Sequence, residues 1–177
     1  MTLHTKHWVA GLLGFSGFAL SLLVPGGPIE TRSFSHINSL TLGAFNTFLT
    51  VLGLGSLLLI YFVLKSERWA IFVAAVCGLS YLGVYGLDLA RIFPVSPDAM
   101  PPALFAIEVL GTVISFPLIA LSIQSLRGLN PKMSVASSLP SADLSLSWKT
   151  PQALIAISLA MISVGIIAFA TRSAMGL

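Results

Sequence analysis

Residues 40–64 read LTLGAFNTFLTVLGLGSLLLIYFVL, and these 25 residues contain no Asp, Glu, Lys, Arg or His. An α-helix rises about 1.5 Å per residue, so the run is long enough to cross the roughly 30 Å of hydrocarbon in a bilayer. The charged residues Lys65, Glu67 and Arg68 follow it directly. The stretch therefore predicts a transmembrane helix that ends in a water-exposed turn.

Four further apolar runs also reach the length of a membrane span: residues 8–24, 69–92, 102–126 and 152–171. Backbone N–H and C=O groups in lipid must be paired within their own segment, which favours helices. We therefore predict an all-α fold, a polytopic integral membrane helical bundle. Its parts are a four-helix transmembrane core (1–127), a Ser/Pro-rich connector (128–149) and a C-terminal fifth transmembrane helix with its tail (150–177).

The composition of the 177 residues agrees with this interpretation. Hydrophobic residues make up 56% of the chain and charged residues 8%, whereas a soluble domain carries roughly 25% charged residues. This excludes a water-soluble enzyme, a disordered chain and a secreted disulfide scaffold. The single cysteine, Cys77, excludes an intrachain disulfide and a four-cysteine metal site. The chain has no basic run that could follow a nucleic-acid backbone, so we expect no nucleic-acid partner.

The first apolar run has a competing interpretation as a signal peptide, since Lys6 precedes it. Its apolar part is 17 residues long, and Pro25, Gly26 and Gly27 follow it without an Ala-x-Ala cleavage site. These features favour an uncleaved first helix.

The distribution of Lys and Arg predicts the orientation, because cytoplasmic loops carry an excess of both. The N-terminal side holds six of them: Lys6, Lys65, Arg68, Arg127, Lys132 and Lys149. The opposite side holds three: Arg32, Arg91 and Arg172. We expect the N-terminus in the cytoplasm, the C-terminus outside, and a location in the cytoplasmic membrane of a prokaryote.

Two acidic residues lie within the predicted spans, where an ionisable group costs roughly 2.5–3.5 kcal/mol on insertion scales. Asp88 is four residues from the end of the third span, and Glu108 is about six residues into the fourth. The loop between these spans is short, so the helices are expected to be neighbours. Asp88 and Glu108 are therefore expected at similar depth near the outer surface.

Further polar residues occur on the same helical faces and predict an outward-facing acidic pocket. The candidate lining residues are Asn46, Tyr81, Tyr85, Asp88, Arg91, Glu108 and Thr112, with Glu30, Arg32 and His36 at the mouth. Arg91 and Arg32 are alternative counter-charges for the acids. The competing interpretations are an Asp88–Arg91 pair at a helix end, Glu108 as a partner of a helix N-terminus, and Ser/Thr/Gly stripes that only pack helices.

The leading functional hypothesis is a non-catalytic membrane protein that binds a small or lipidic molecule, or that serves as a subunit of a membrane assembly. The alternatives are an enzyme that uses Asp88 and Glu108 as an acid/base pair on a lipid-borne substrate, and a small oligomeric transporter. No histidine or lysine lies inside a span, and no metal-binding or nucleotide-binding motif occurs, so we expect no metal and no cofactor. Expected partners are the bilayer, the ligand, and a second copy or other membrane subunits. The fifth helix is expected to be peripheral to the pocket.

Overall fold

The computed structural model describes residues 3–128 and 150–176, and all regular structure in these ranges is helical. The helices are α1 (Leu3–Leu22), α2 (Ser39–Leu64), α3 (Arg68–Leu89), α4 (Pro102–Gly128) and α5 (Thr150–Ala174). Three of them, α2, α3 and α4, are long and apolar enough to cross a membrane. The all-α prediction is confirmed for the described residues, whereas the predicted connector at 128–149 falls almost wholly outside them.

Local signals explain where the helices begin and end. Asn38 caps α2, because its side-chain oxygen accepts a hydrogen bond from the backbone N–H of Leu40 at 2.8 Å. Helix α3 ends at Leu89, three residues before the predicted end of the third span at Ile92. The reason is that Arg91 adopts a left-handed backbone conformation with φ of 55°, which an α-helix cannot continue through.

The first four helices form a ring in which each packs against its neighbours in sequence and α1 closes against α4. Their shared core contains Val9 and Leu13 of α1, Val63 of α2, Tyr81 of α3 and Leu118 of α4. Helix α5 packs against α2 on the outside of this ring.

The two ends of the ring differ in their connections. At one end, α2 and α3 are joined by the turn 65–67, and we call this the short-turn end. At the other end, residues 23–38 join α1 to α2 and residues 90–101 join α3 to α4, and we call this the long-loop end.

The last turn of α5 contacts the long-loop end. The backbone N–H of Phe34 donates a hydrogen bond to the carbonyl oxygen of Ala174 at 2.7 Å. Phe34, Leu42 and Ala174 also form a small buried apolar cluster. The C-terminal part of α5 therefore touches the loop that carries the candidate residues, which differs from the expectation that this helix is peripheral.

Candidate functional site

The site is built around Arg32, which lies in the loop between α1 and α2. Its backbone N–H and its Nε both donate to Glu30 Oε1 at 3.0 Å, and its Nη2 donates to Glu30 Oε2 at 2.6 Å. Glu30 and Arg32, two residues of one loop, thus form an ion pair in which both carboxylate oxygens accept hydrogen bonds. Both side chains are buried.

The same guanidinium binds Asp88, the penultimate residue of α3, through two parallel hydrogen bonds. Nη1 donates to Oδ1 at 2.9 Å, and Nη2 donates to Oδ2 at 2.7 Å. Bidentate Arg–carboxylate pairs are among the stronger hydrogen-bonded contacts in proteins. Arg32 therefore fastens the α1–α2 loop to the end of α3.

Glu108, in the second turn of α4, completes the group. Its Oε1 lies 4.0 Å from Arg32 Nη2, at the limit of an ion pair, and the residue is only 2% exposed. Its other oxygen, Oε2, is buried and has no hydrogen-bond partner among the described residues. We call Glu30, Arg32, Asp88 and Glu108 the Arg32 cluster.

The Arg32 cluster contains three carboxyl groups and one guanidinium, all buried. Burial by itself lowers the pKa of the Arg32 guanidinium, but its hydrogen bonds to Asp88 and Glu30 outweigh that effect and raise the pKa above its ordinary value. Arg32 therefore stays positively charged. One cation faces three acids, so the cluster as a whole favours additional positive charge or additional hydrogen-bond donors.

A cavity of about 50 Å³ lies beside the Arg32 cluster. Its polar lining consists of Glu30, Asn46, Tyr85, Asp88 and Glu108, and the remaining lining is apolar. The Tyr85 side chain is 1% exposed, and its hydroxyl, like Glu108 Oε2, has no hydrogen-bond partner among the described residues. Two residues of the cavity wall thus each carry a buried polar atom that has no protein partner among the described residues.

Packing fixes the ring of Tyr85. It stacks on Tyr81 with ring centroids 6.1 Å apart and lies against α4 at Gly111, where a Cβ atom would overlap the ring. Tyr81 itself donates its hydroxyl to Ser56 Oγ at 3.0 Å, deeper in the bundle. Tyr81 therefore supports Tyr85 and does not line the cavity.

The remaining predicted residues take other positions. Arg91 and His36 are exposed, and the Asp88–Arg91 ion pair is not formed, because α3 ends between these two residues. Thr112 donates its hydroxyl to the carbonyl oxygen of Glu108, one turn earlier in α4. Of the two proposed counter-charges, Arg32 faces the acids.

The sequence did not reveal what holds the α1–α2 loop in place. Asp98 Oδ2 accepts a hydrogen bond from the Ser33 N–H at 2.8 Å, and Ser96 Oγ donates to the Ser33 carbonyl oxygen at 2.9 Å. Asn46 Nδ2 donates to Thr171 Oγ1 at 3.2 Å, which brings α5 to the cavity. These contacts join residues far apart in the chain, so no local sequence pattern predicts them.

The described side chains include no group of three or more His, Cys, Asp or Glu residues arranged to hold a metal ion. In the Arg32 cluster, Glu30 and Asp88 already share the Arg32 guanidinium as their positive partner. What the arrangement can still accept is a hydrogen-bond donor at Glu108 Oε2 and at the Tyr85 hydroxyl.

Comparison with known proteins gives one match. A family described as "Domain of unknown function (DUF8051)" matches residues 5–139, about three quarters of the chain. The matched range includes the whole Arg32 cluster and ends before α5 begins. Neither a curated protein nor a solved structure matches the chain.

Proposed function

The chain belongs to the DUF8051 family, and we propose that it is a multi-pass integral membrane protein that binds a small cationic group in an outward-facing acidic pocket. The pocket is the cavity beside the Arg32 cluster. The role proposed is binding, with no bond made or broken.

The surface of the helices supports insertion into lipid. Large apolar side chains are exposed along the outside of α3 and α4, among them Phe72, Leu79, Val113 and Phe116. An exposed apolar surface of this extent is unfavourable in water and favourable in hydrocarbon. In this proposal α1 and α5 cross the membrane beside the three long apolar helices.

The charges at the two ends support an orientation with the long-loop end outside. Lys65 and Arg68 lie at the short-turn end, and the Lys6 ammonium reaches the same end, where it donates to the Leu64 carbonyl oxygen at 3.1 Å. Arg32 is neutralised within the Arg32 cluster. Arg91 and Arg172 thus remain as the exposed arginines of the long-loop end. Because cytoplasmic loops carry an excess of Lys and Arg, this distribution favours the short-turn end as the cytoplasmic one.

The observation that supports the proposed binding role is that two residues of one cavity wall, Glu108 and Tyr85, each carry a buried polar atom without a protein partner among the described residues. A buried polar group without a partner costs about 1–3 kcal/mol, and more when it is charged. A ligand that donates hydrogen bonds to both atoms lowers this cost, although the Tyr85 O–H group still lacks an acceptor. A positive ligand also balances the excess of carboxyl groups over Arg32.

The size of the cavity limits the group that fits. One water needs roughly 10–15 Å³, so the cavity of about 50 Å³ accepts roughly three to five atoms of that size. A primary ammonium on a short carbon stem has this size, this charge and three N–H donors.

The contacts of Asp88 favour binding over acid/base catalysis. A catalytic pair needs two carboxyl groups that are free to exchange protons with a substrate. Both oxygens of Asp88 accept hydrogen bonds from Arg32. Glu108 is then the one carboxyl group of the Arg32 cluster with an oxygen that accepts no hydrogen bond from the described residues.

The binding test uses the full chain in phosphatidylcholine nanodiscs, whose headgroups carry no N–H donor. Ethylamine hydrochloride is titrated at constant ionic strength and the melting temperature is recorded, with ethanol as the uncharged probe of the same size. Binding at ten times the dissociation constant stabilises by about 1.4 kcal/mol. We expect ethylamine, and not ethanol, to raise the melting temperature.

Two variants make this result specific. Glu108→Gln should abolish the ethylamine shift, and Tyr85→Phe should weaken it while leaving the fold intact. Glu67→Gln changes an exposed acid at the short-turn end and serves as the matched control. No shift with ethylamine, or an equal shift in Glu108→Gln and the parent, would refute the pocket.

The orientation is tested separately by cysteine labelling in a Cys77→Ala background. Val95→Cys lies in an exposed part of the long-loop end, and Glu67→Cys lies in the short turn. A membrane-impermeant maleimide should label residue 95 in intact cells and residue 67 only after permeabilisation. The reverse pattern would invert the proposed topology.

A further inference from the structure

The cavity beside the Arg32 cluster adjoins an apolar groove of about 90 Å³. The two share one stretch of wall: Leu20, Leu23, Pro25, Asn46 and Leu49. The cavity lies at the long-loop end, and the groove extends from it along α2 to Leu57. A cavity with acidic side chains in its wall and an apolar groove thus lie next to each other.

The groove exists because α2 is only partly covered. Among the described residues, α1 and α5 each pack against α2 but not against each other, so a strip of α2 remains open between them. Gly53 contributes no side chain to this strip, and Ile166 and Ala170 of α5 form the opposite wall.

The groove offers almost no free hydrogen-bonding groups. Thr50 donates its hydroxyl to the Asn46 carbonyl oxygen at 2.7 Å, and Ser21 donates to the Phe18 carbonyl oxygen at 2.6 Å. Both hydroxyls are thus used within their own helices. The rest of the surface suits an alkyl chain, whose favourable contacts are dispersion contacts with the walls.

We propose that a single molecule occupies both spaces, namely a long-chain primary amine whose ammonium group binds in the cavity and whose alkyl chain lies in the groove. This deepens the proposed function and rests on it. Three observations support the assignment: the excess of carboxyl groups in the Arg32 cluster, the unpartnered Glu108 Oε2 and Tyr85 hydroxyl, and the shared wall. At roughly 10–15 Å³ per water-sized group, the groove holds roughly six to nine such groups.

The ammonium, and not the chain, provides the selectivity. A chain in the bilayer is already in an apolar medium, so moving it into the groove gains packing and little hydrophobic free energy. Lipids whose heads carry no N–H or O–H donor compete for the groove on equal terms but cannot donate a hydrogen bond to Glu108. Occupancy of the groove is therefore coupled to the charge of the cavity.

The test uses the full chain in phosphatidylcholine nanodiscs and dodecylamine that carries a photoreactive diazirine midway along its chain. After irradiation the labelled residues are identified by mass spectrometry. We expect the label to concentrate on the α2 segment around Leu54 and Leu57 and on α5 near Ile166. Glu108→Gln should lower this labelling roughly tenfold or more, the effect of losing a charge-assisted hydrogen bond.

A matched pair of glycine variants tests the groove itself. Gly53→Leu fills the groove and should lower dodecylamine labelling about tenfold while leaving the ethylamine shift unchanged. Gly55→Leu adds the same side chain two residues away, where a Cβ meets nothing within 4 Å, and should leave labelling unchanged.

The outcomes separate the two proposals. The inference of an amine with an alkyl chain is overturned if the corresponding dodecanol probe labels the groove equally. It is also overturned if labelling is spread over all lipid-facing helices and does not change in Glu108→Gln. The ethylamine shift would then still stand for the pocket. If ethylamine itself produces no shift, the proposed function fails, and this inference fails with it.

Discussion

The long-loop end of the bundle buries a group of charged side chains, whereas the charged side chains of the short turn are exposed. At the short-turn end, Lys65, Glu67 and Arg68 are exposed. At the long-loop end, Glu30, Arg32, Asp88 and Glu108 are buried in one contact network. A turn of three residues is too short to fold back over the helix ends, whereas the loop 23–38 can do so. The length of the connecting loop thus decides whether its charged side chains stay exposed or are folded over the helix ends and buried.

The largest effect is expected from Arg32→Met, which removes the cation from the buried acids. Removing one partner of a buried ion pair costs about 3–5 kcal/mol, because the remaining charges stay buried and uncompensated. Unfolding of the full chain in detergent, followed by circular dichroism against added SDS, measures the change. Arg91→Met is the matched control at the same end, and its exposed side chain should change stability by less than about 0.5 kcal/mol. Equal losses in the two variants would remove the distinction between buried and exposed charge.

A smaller effect is expected where α4 approaches α3 closely. Gly111→Ala puts a methyl group into the ring of Tyr85, and overpacking of this kind costs about 1–3 kcal/mol. Gly55→Ala is the control, since its Cβ meets nothing and alanine is the better helix former. The same unfolding assay should give a loss for the first variant and none for the second. A loss in neither would mean that Tyr85 is free to move away, and that its hydroxyl is not held in the cavity wall.

The two buried tyrosines of α3 are expected to differ although their environments are similar. Tyr81→Phe removes the hydrogen bond to Ser56 and should lower stability by about 0.5–1.5 kcal/mol. Tyr85→Phe removes a hydroxyl that has no protein partner, so stability should stay the same or rise while ethylamine binding weakens. The melting temperature without ligand reports the structural role of each hydroxyl, and the ethylamine titration reports its role in binding. A stability loss in Tyr85→Phe would point to a structural role for that hydroxyl.

The smallest effect is expected at the short turn. Glu67→Gln and Lys65→Met each change one exposed charge, and exposed charges contribute about 0–1 kcal/mol. Both variants should unfold within about 0.5 kcal/mol of the parent. A larger loss would show that this end also contains a structural charge network, and the contrast between the two ends would then disappear.

The sequence by itself determined the helices. Long apolar runs favour helices, because backbone groups in lipid must be paired within their own segment. The predicted starts at Leu40, Trp69 and Pro102 lie within one residue of those of α2, α3 and α4, whereas α1 begins at Leu3, five residues before the predicted start of the first span. It also picked out Asp88 and Glu108, because an acid in an apolar run stands out whatever surrounds it. That the helices span a bilayer remains a prediction from the same argument.

Only the tertiary structure decided which residues meet these acids. Arg91 is three residues from Asp88 and Arg32 is 56 residues away, yet Arg32 forms the pair. A left-handed residue at the end of α3 turns the chain away, and a long loop brings the distant guanidinium in. The hydrogen bond between Asn46 of α2 and Thr171 of α5 likewise joins segments that are far apart in the chain. Helices arise from short-range periodicity, whereas a buried charge network depends on loop closure and packing between distant segments.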